Sequence, residues 1–150
     1  MQEAPFDPAA ELAAFCRGRT DVGGIATFLG LVRDRHGDEP VRAMTLEHYP
    51  GMTERKLAEL EAEARARWPL LDCLVVHRYG RLTPGEPIVL VATASAHRQA
   101  ALESCAFLID WLKTGAPFWK LEETGDGEAR WVEARASDDE AAQRWERPGG

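Results

Sequence analysis

The strand-forming segments of this chain come in pairs, and helix-forming segments separate one pair from the next. Turns rich in glycine, proline and acidic residues join the two members of a pair. The order αββαββαββα favours an α+β fold with a largely antiparallel sheet over a doubly wound parallel sheet. We expect the first two strands to pair with each other. The predicted strands span residues 23–32, 41–49, 71–80, 88–96, 118–123 and 129–134.

Four segments carry the signals of helices. Asp7 and Pro8 are typical of an N-cap and a first helical position. Gly115 and Pro117 are typical of the end of a helix. The predicted helices span residues 8 to about 17, 53 to about 68, about 96 to 113, and 138 to 145.

Length and composition fit one globular domain. The chain has 150 residues, of which 45% are hydrophobic and 29% are charged, and a chain of this size can bury a sizeable core. We expect a single domain over residues 1–150, with an N-terminal helix within about 1–20 and a C-terminal helix and loose tail within about 136–150. The net charge of −7 at pH 7 argues against general nucleic-acid binding, which needs a basic face.

Cysteine and histidine usage argues against a disulfide framework or a metal site. Cys16, Cys73 and Cys105 are far apart without a CxxC motif, and the four histidines lack metal-ligand spacing. Unpaired thiols are typical of a reducing compartment. The acidic N-terminus does not resemble a signal peptide, and no apolar run approaches the roughly 18 residues of a membrane span. We therefore expect a cytoplasmic protein that is not bound to a membrane.

Lysine usage is the strongest local signal of chemistry. Of 18 lysine and arginine residues three are lysines, and Lys113 and Lys120 lie seven apart in KTGAPFWK. Lys113 could simply offset the dipole of a helix end, and Lys120 could form an ordinary ion pair with Glu122 on its own strand face. Arginine would serve the first role equally well. A partly desolvated lysine can lose its proton near neutral pH, so the pattern predicts an anion-binding, proton-handling site.

Several other cations are candidates for binding phosphate. His97 and Arg98 open the predicted long helix, whose N-terminus offers unpaired N–H groups and a positive dipole end. Arg33 follows the first strand, and its planar guanidinium suits bidentate contact. Arg135, which closes RWVEAR, is a weaker candidate. A solvated surface position is an equally simple interpretation of Arg33.

Several blocks of the sequence together resemble a known family. The chain is similar to the large, catalytic subunit of molybdopterin synthase from about Val22 to Trp145, which is nearly its whole length. The SAHR and KT.APFWK motifs are highly specific when they occur together. The blocks that carry the resemblance include GGIATFLGLVRD, LEHYPGMTE, SAHRQAALESC and DWLKTGAPFWKLE.

The resemblance implies a fold, a reaction and partners. The family has an α/β hammerhead fold and forms a homodimer within a heterotetramer, in which each large subunit binds one small ubiquitin-like sulfur-carrier subunit. The carrier ends in a Gly-Gly thiocarboxylate that enters the pocket of the large subunit. The substrate is cyclic pyranopterin monophosphate, also called precursor Z, and two transferred sulfurs form the dithiolene of molybdopterin. No metal or other cofactor is required for this step.

The resemblance also implies roles for particular residues. The catalytic lysines of the family match Lys113 and Lys120. Leu121 departs from the pattern, because some relatives carry a basic residue there, and we expect little consequence. The positions that match the substrate-binding pocket of the family are Arg33, His97, Arg98, Phe28, Glu122 and Arg135.

Two other functions stay open at this point. The terminal RPGG resembles the end of a sulfur carrier, but such carriers are β-grasp domains of about half this length. The main alternative is a non-catalytic module that binds a pterin or nucleotide phosphate. Such a module would use Arg33, His97 and Arg98 but would not need the lysine pair.

Overall fold

The computed structural model describes residues 1–125, 127–132, 143 and 145–146. These residues form an α+β fold in which the strands of each sheet pair antiparallel, which confirms the predicted class. In chain order the elements are α1 (Pro8–Cys16), β1 (Gly24–Leu31), β2 (Arg35–His36), β3 (Glu39–His48), α2 (Met52–Arg67), β4 (Leu70–His77), β5 (Gly80–Leu82), β6 (Pro87–Ser95), α3 (Arg98–Thr114), β7 (Phe118–Thr124) and β8 (Ala129–Val132).

The first sheet has the strand order β1-β6-β4. Its central strand β6 is buried from Ile88 to Ser95, as its nearly continuous apolar sequence predicts. Helix α3 packs against β1 and β6, and its buried face includes Phe107 and Leu108. The main hydrophobic core therefore lies between this sheet and α3.

The second sheet has the order β2-β3-β7-β8, and β5 also pairs with β3. The predicted hairpin of the last two strands is present, because β7 and β8 pair antiparallel from Lys120 opposite Val132 to Glu123 opposite Ala129. Strand β3 pairs with the other edge of β7, which places Leu46 opposite Lys120. This sheet therefore holds β7, which carries the predicted site residues Lys120 and Glu122, between two neighbours.

The predicted pairing of the first two long strands is wrong. Strand β1 pairs with β6 from Gly24 to Leu31, and β3 pairs with β7 in the other sheet. A local β1–β3 pairing would leave one edge of the fully buried β6 without hydrogen-bond partners, which is costly. The segment between β1 and β3 instead forms its own small hairpin through β2, where Gly37 has a φ of +63°.

The predicted strand 71–80 is also two strands. Strand β4 ends at His77 in the first sheet, and the chain crosses at Arg78 and Tyr79 to β5 in the second sheet. Gly80 has a φ of +90° at this crossing, a conformation that glycine adopts readily. His77 therefore lies where the two sheets meet.

The C-terminal part of the chain is described at a few positions. The ring of Trp145 packs edge-on against Trp68 and Phe107, at centroid distances of 5.5 and 5.7 Å, and its Nε1 donates to Asp110. The predicted site residue Arg135 and most of the predicted C-terminal helix lie outside the described residues.

Candidate active site

A cavity of about 350 Å³ lies where both sheets meet the C-terminal end of α3. Four residues that were predicted from the sequence line it, namely Arg33, Lys113, Lys120 and Glu122. Its apolar wall comes from β3, β6 and the start of β7. The polar side chains in the lining are Arg33, Arg35, His36, His77, Lys113, Thr114, Lys120 and Glu122.

A sharp helix–strand turn brings the two lysines to the same cavity. Lys113 lies in the last turn of α3, and the helix ends with Gly115, whose N–H donates to the carbonyl of Trp111 at 2.6 Å. Strand β7 begins three residues later, and Lys120 is half-buried on it. A Cβ on Gly115 would come within 2.6 Å of the Trp111 ring, so the close approach requires glycine here.

The Glu122 carboxylate is buried in the wall of the cavity, at 9% exposure. Its Oε1 is 2.7 Å from Nδ1 of His36, which comes from the β2–β3 hairpin. Lys120 and Glu122 share one face of β7 as predicted, and both line the cavity. The structure nevertheless pairs Glu122 with His36, and no Lys120–Glu122 ion pair within 4 Å is present among the described residues.

His77 also lines the cavity and is 7% exposed. Its Nδ1–H donates to the carbonyl of Arg78 at 2.8 Å, and its ring packs on Phe118 at 4.5 Å. Burial, together with the positive charges of Lys113 and Lys120, lowers the pKa of His77 to about 4 despite that hydrogen bond. His77 is therefore a neutral imidazole at pH 7.

Sequence reasoning missed both histidines of the cavity. His36 and His77 are isolated in the sequence and have no ligand or catalytic spacing. For His36, the signal that could have found it is the HGDE turn, because a glycine there permits a tight hairpin that folds His36 back onto β3. For His77, the signal is a histidine at the end of a strand that otherwise reads as core.

The other predicted site residues lie elsewhere in the single chain. His97 is the N-cap of α3 without a side-chain capping bond, and with exposed Arg98 it lines a separate surface concavity beside Gly23. This concavity is at the Gly24 end of β1, whereas Arg33 follows its Leu31 end. A strand of this length spans roughly 25 Å. Arg33 therefore cannot share one small ligand with His97 and Arg98 of the same chain.

Phe28 does not line the cavity either. It lies in the middle of β1 and is 38% exposed. Strand β1 is an edge strand of its sheet, because β6 is its partner on one side and no strand of the described residues pairs with it on the other. Phe28 is thus part of an exposed edge rather than of the enclosed site.

The described residues carry neither a metal site nor a reactive buried thiol. No group of three or more histidine, cysteine, aspartate or glutamate side chains among them could hold a metal ion. Burial raises the pKa of Cys73 to about 12 and that of Cys105 to about 11, so both remain protonated thiols at pH 7. No helix within the described part of the chain is long and apolar enough to cross a membrane.

Known proteins are similar to this chain in sequence and in fold. The family model described as MoaE protein matches residues 1–115. A curated relative from Pseudomonas aeruginosa, named molybdopterin synthase catalytic subunit, is 56% identical over 146 residues, which cover 97% of each chain.

Solved structures agree with this relationship. The molybdopterin biosynthesis MoaE protein from Burkholderia ambifaria is 51% identical, with a TM-score of 0.80 over 97% of this chain and 95% of that one. The fold also matches a Helicobacter pylori protein solved as a complex of subunits 1 and 2 of molybdopterin-converting factor, with a TM-score of 0.71 at 20% identity over 89% of this chain and 88% of that one. With its lysine-lined cavity and more than half of its length matched, the chain belongs to the MoaE family of molybdopterin synthase catalytic subunits.

Proposed function

We propose that the cavity is the sulfur-transfer site of a molybdopterin synthase. Two sulfurs pass from the C-terminal thiocarboxylate of a small ubiquitin-like carrier to cyclic pyranopterin monophosphate and form the dithiolene of molybdopterin. The observation that carries this proposal is the convergence of Lys113 and Lys120 with Arg33 in one cavity. A cytoplasmic location is part of this proposal, and the free thiols of Cys73 and Cys105 support it, because such thiols are typical of reducing compartments.

The lysine pair suits the charges that this reaction handles. A thiocarboxylate and a cyclic phosphate are both anions, and ammonium groups in a partly enclosed cavity stabilise such charge more strongly than they would in water. Lysine can also donate and recover a proton as the phosphate ring opens and sulfur adds. The neutral His77 lines the same cavity, so it adds no third positive charge beside the two ammonium groups.

The carrier supplies its sulfur through its C-terminal tail. A Gly-Gly tail has no side chains and therefore fits a narrow entry that a bulkier segment would block. The Helicobacter pylori neighbour, which has the same fold, was solved as a complex of two different subunits. That assembly supports a complex in which each copy of this chain binds one carrier.

A second copy of the chain accounts for His97, Arg98 and Phe28. The edge strand β1 exposes Phe28, Leu29 and Leu31, at 38%, 42% and 51%. In the proposed dimer, β1 pairs antiparallel with β1 of a second copy about a two-fold axis near Phe28. This pairing buries these side chains and gives the backbone groups of the free edge hydrogen-bond partners.

This dimer also brings together substrate-binding residues that lie far apart in the single chain. Two-fold antiparallel pairing sets the Gly24 end of β1 in one copy against the Leu31 end in the other. His97 and Arg98 of one copy then approach Arg33 of its partner, and the three side chains hold the phosphate and pterin end of the substrate. Arg135 is proposed as a further pocket residue on the family resemblance.

The test is to mix this chain with thiocarboxylated carrier and precursor Z and to measure dithiolene formation. Carrier with an ordinary C-terminal carboxylate is the control for the sulfur source. Lys56→Ala is the control for the lysine substitutions, since Lys56 is exposed on α2 and pairs with Glu59 at 3.4 Å. A chain that binds precursor Z but forms no dithiolene would be a pterin-phosphate binding module instead.

A further inference from the structure

The pair formed by His36 and Glu122 has no role in the site described so far. Its Nδ1 to Oε1 distance is 2.7 Å. An ionised carboxylate only accepts hydrogen bonds, so Nδ1 of His36 carries the hydrogen. In the neutral ring the lone pair is then on Nε2, and no described group hydrogen-bonds to that nitrogen. The imidazole lines the cavity with Lys113 and Lys120.

The position of His36 is fixed from two sides. His36 is paired with Glu39 across the tight β2–β3 hairpin, and the Glu39 carboxylate binds the guanidinium of Arg130 on β8. Glu122 lies opposite Arg130 in the β7–β8 pairing. The hairpin is thus tied to the same strands that carry the catalytic lysine and Glu122. When a carboxylate fixes the tautomer and orientation of a histidine through one ring nitrogen, the other ring nitrogen can act as a base.

Sulfur transfer contains a step that needs such a base. When the thiocarboxylate sulfur bonds to a substrate carbon, it remains bonded to the acyl carbon of the carrier, and the product is a thioester. Release of the carrier requires water to add to that acyl carbon and the carbon–sulfur bond to break. The oxygen of water stays on the carrier as carboxylate, the sulfur stays on the pterin as thiolate, and two protons are released.

We infer that His36, held by Glu122, is the general base that takes the first of these protons from the attacking water through Nε2. The second proton leaves to solvent when the carrier carboxyl group ionises. This inference rests on the proposed function. It makes His36 a catalytic residue and Glu122 the residue that positions it.

The other groups around the cavity are less suited to this task. Arg33 and Arg35 stay protonated and have no lone pair to offer. Lys113 and Lys120 are proposed above to stabilise the anions of the substrate and carrier, and as ammonium groups they can also stabilise the oxyanion of the tetrahedral intermediate. His77 has a free nitrogen, but burial and the two lysines oppose its protonation. His36 differs in its contact, because its Nδ1 is 2.7 Å from the Glu122 carboxylate.

The test is a single-turnover reaction of the full chain with thiocarboxylated carrier and precursor Z, quenched at intervals and analysed by intact-mass spectrometry. The variant is His36→Asn, because the asparagine amide can still donate to Glu122 but has no basic nitrogen. We expect the carrier–pterin adduct to form at the wild-type rate and to decay at least about 10²-fold more slowly, the usual contribution of a general base. Hydroxylamine should cleave the accumulated adduct, as it does thioesters.

Two results distinguish a failure of the role inferred for His36 from a failure of the proposed function. Decay of the adduct at the wild-type rate in His36→Asn would overturn the role of His36 while leaving the proposed function intact. Absence of both adduct and dithiolene with the wild-type chain would instead contradict the proposed function itself. Glu122→Gln gives an independent check, since glutamine can still accept from Nδ1 but lacks the charge. We expect its decay rate to fall between those of the wild type and His36→Asn.

Discussion

Lys113 lies in the last turn of α3, Lys120 is the third residue of β7, and both line the same cavity. The turn between them is short because Gly115 passes against the ring of Trp111. This relationship explains why a chain that otherwise uses arginine keeps two lysines seven residues apart. A different element places each lysine at the cavity that we propose as the sulfur-transfer site.

Substitution of the lysines should remove sulfur transfer without unfolding the chain. We expect Lys120→Ala to lower the rate of dithiolene formation by about 10²- to 10³-fold, in the range for loss of one group that stabilises a transition state. Lys113→Ala should lower the rate severely, and Lys56→Ala should leave it unchanged. Lys120→Arg should not restore the rate, since guanidinium stays protonated. Turnover near wild type in Lys120→Arg would leave the lysine a purely electrostatic role.

Gly115→Ala should damage both stability and activity. The new Cβ would lie 2.6 Å from the Trp111 ring, so the turn between the two lysines must shift. Overpacking of this kind costs about 1–3 kcal/mol, which urea unfolding would measure. Gly125→Ala is the matched control, because its Cβ would meet Pro40 at an ordinary 3.5 Å. Equal stability of the two variants would contradict a close packing requirement at Gly115.

Acid should destabilise the fold through His77. Its pKa is about 4 in the folded chain and about 6.5 in the unfolded chain, so the unfolded state binds more protons between these values. The contribution is complete above pH 6.5 and is lost as the pH falls towards 4. Between pH 7 and pH 5 the loss is about 2 kcal/mol.

His77→Asn isolates this effect, since asparagine can donate to the Arg78 carbonyl but does not titrate in this range. Its free energy of unfolding should fall by about 2 kcal/mol less than that of the wild type between pH 7 and pH 5. Denaturant titrations at the two pH values measure both differences. The same pH dependence in variant and wild type would mean that His77 does not titrate as described.

Complementation between two inactive variants tests the shared site. Arg33→Ala and His97→Ala should each be inactive alone if Arg33 of one copy works with His97 of the other. Co-expression should produce mixed dimers in which one of the two sites is intact, so random mixing restores about a quarter of wild-type activity. No recovery in dimers shown to be mixed would place Arg33 and His97 outside a common site.

The sequence predicted the elements well because their signals are local. The buried β6, the helix ending at Gly115 and the β7–β8 hairpin each follow from apolar pattern or turn residues within a few positions. The partners of β1 and β3 could not be predicted in this way. Strand β1 pairs with β6, which lies some 60 residues later and needs neighbours at both edges, and β3 pairs with β7, which lies some 70 to 80 residues later.

The residues of the candidate site also differ in whether a local signal in the sequence could identify them. Lys113, Lys120 and Glu122 were found because they belong to one short segment with an unusual composition. His36 and His77 were not, because each becomes significant through residues distant in the chain, namely Glu122 for the first and the lysines for the second. The separation of Arg33 from His97 could not be predicted from the sequence either, since it depends on the antiparallel pairing of β1 and β6.

The most direct test of the central claim is the reactivity of the lysines towards an amine-modifying reagent in the presence of carrier. Carrier lacking its last two glycines is compared with full-length carrier at saturating concentrations, and Lys56 is the internal reference. The account predicts that full-length carrier protects Lys113 and Lys120, whereas truncated carrier still binds but leaves both reactive. Equal protection by the truncated carrier would show that the tail does not reach these lysines, and would contradict delivery of sulfur into this cavity.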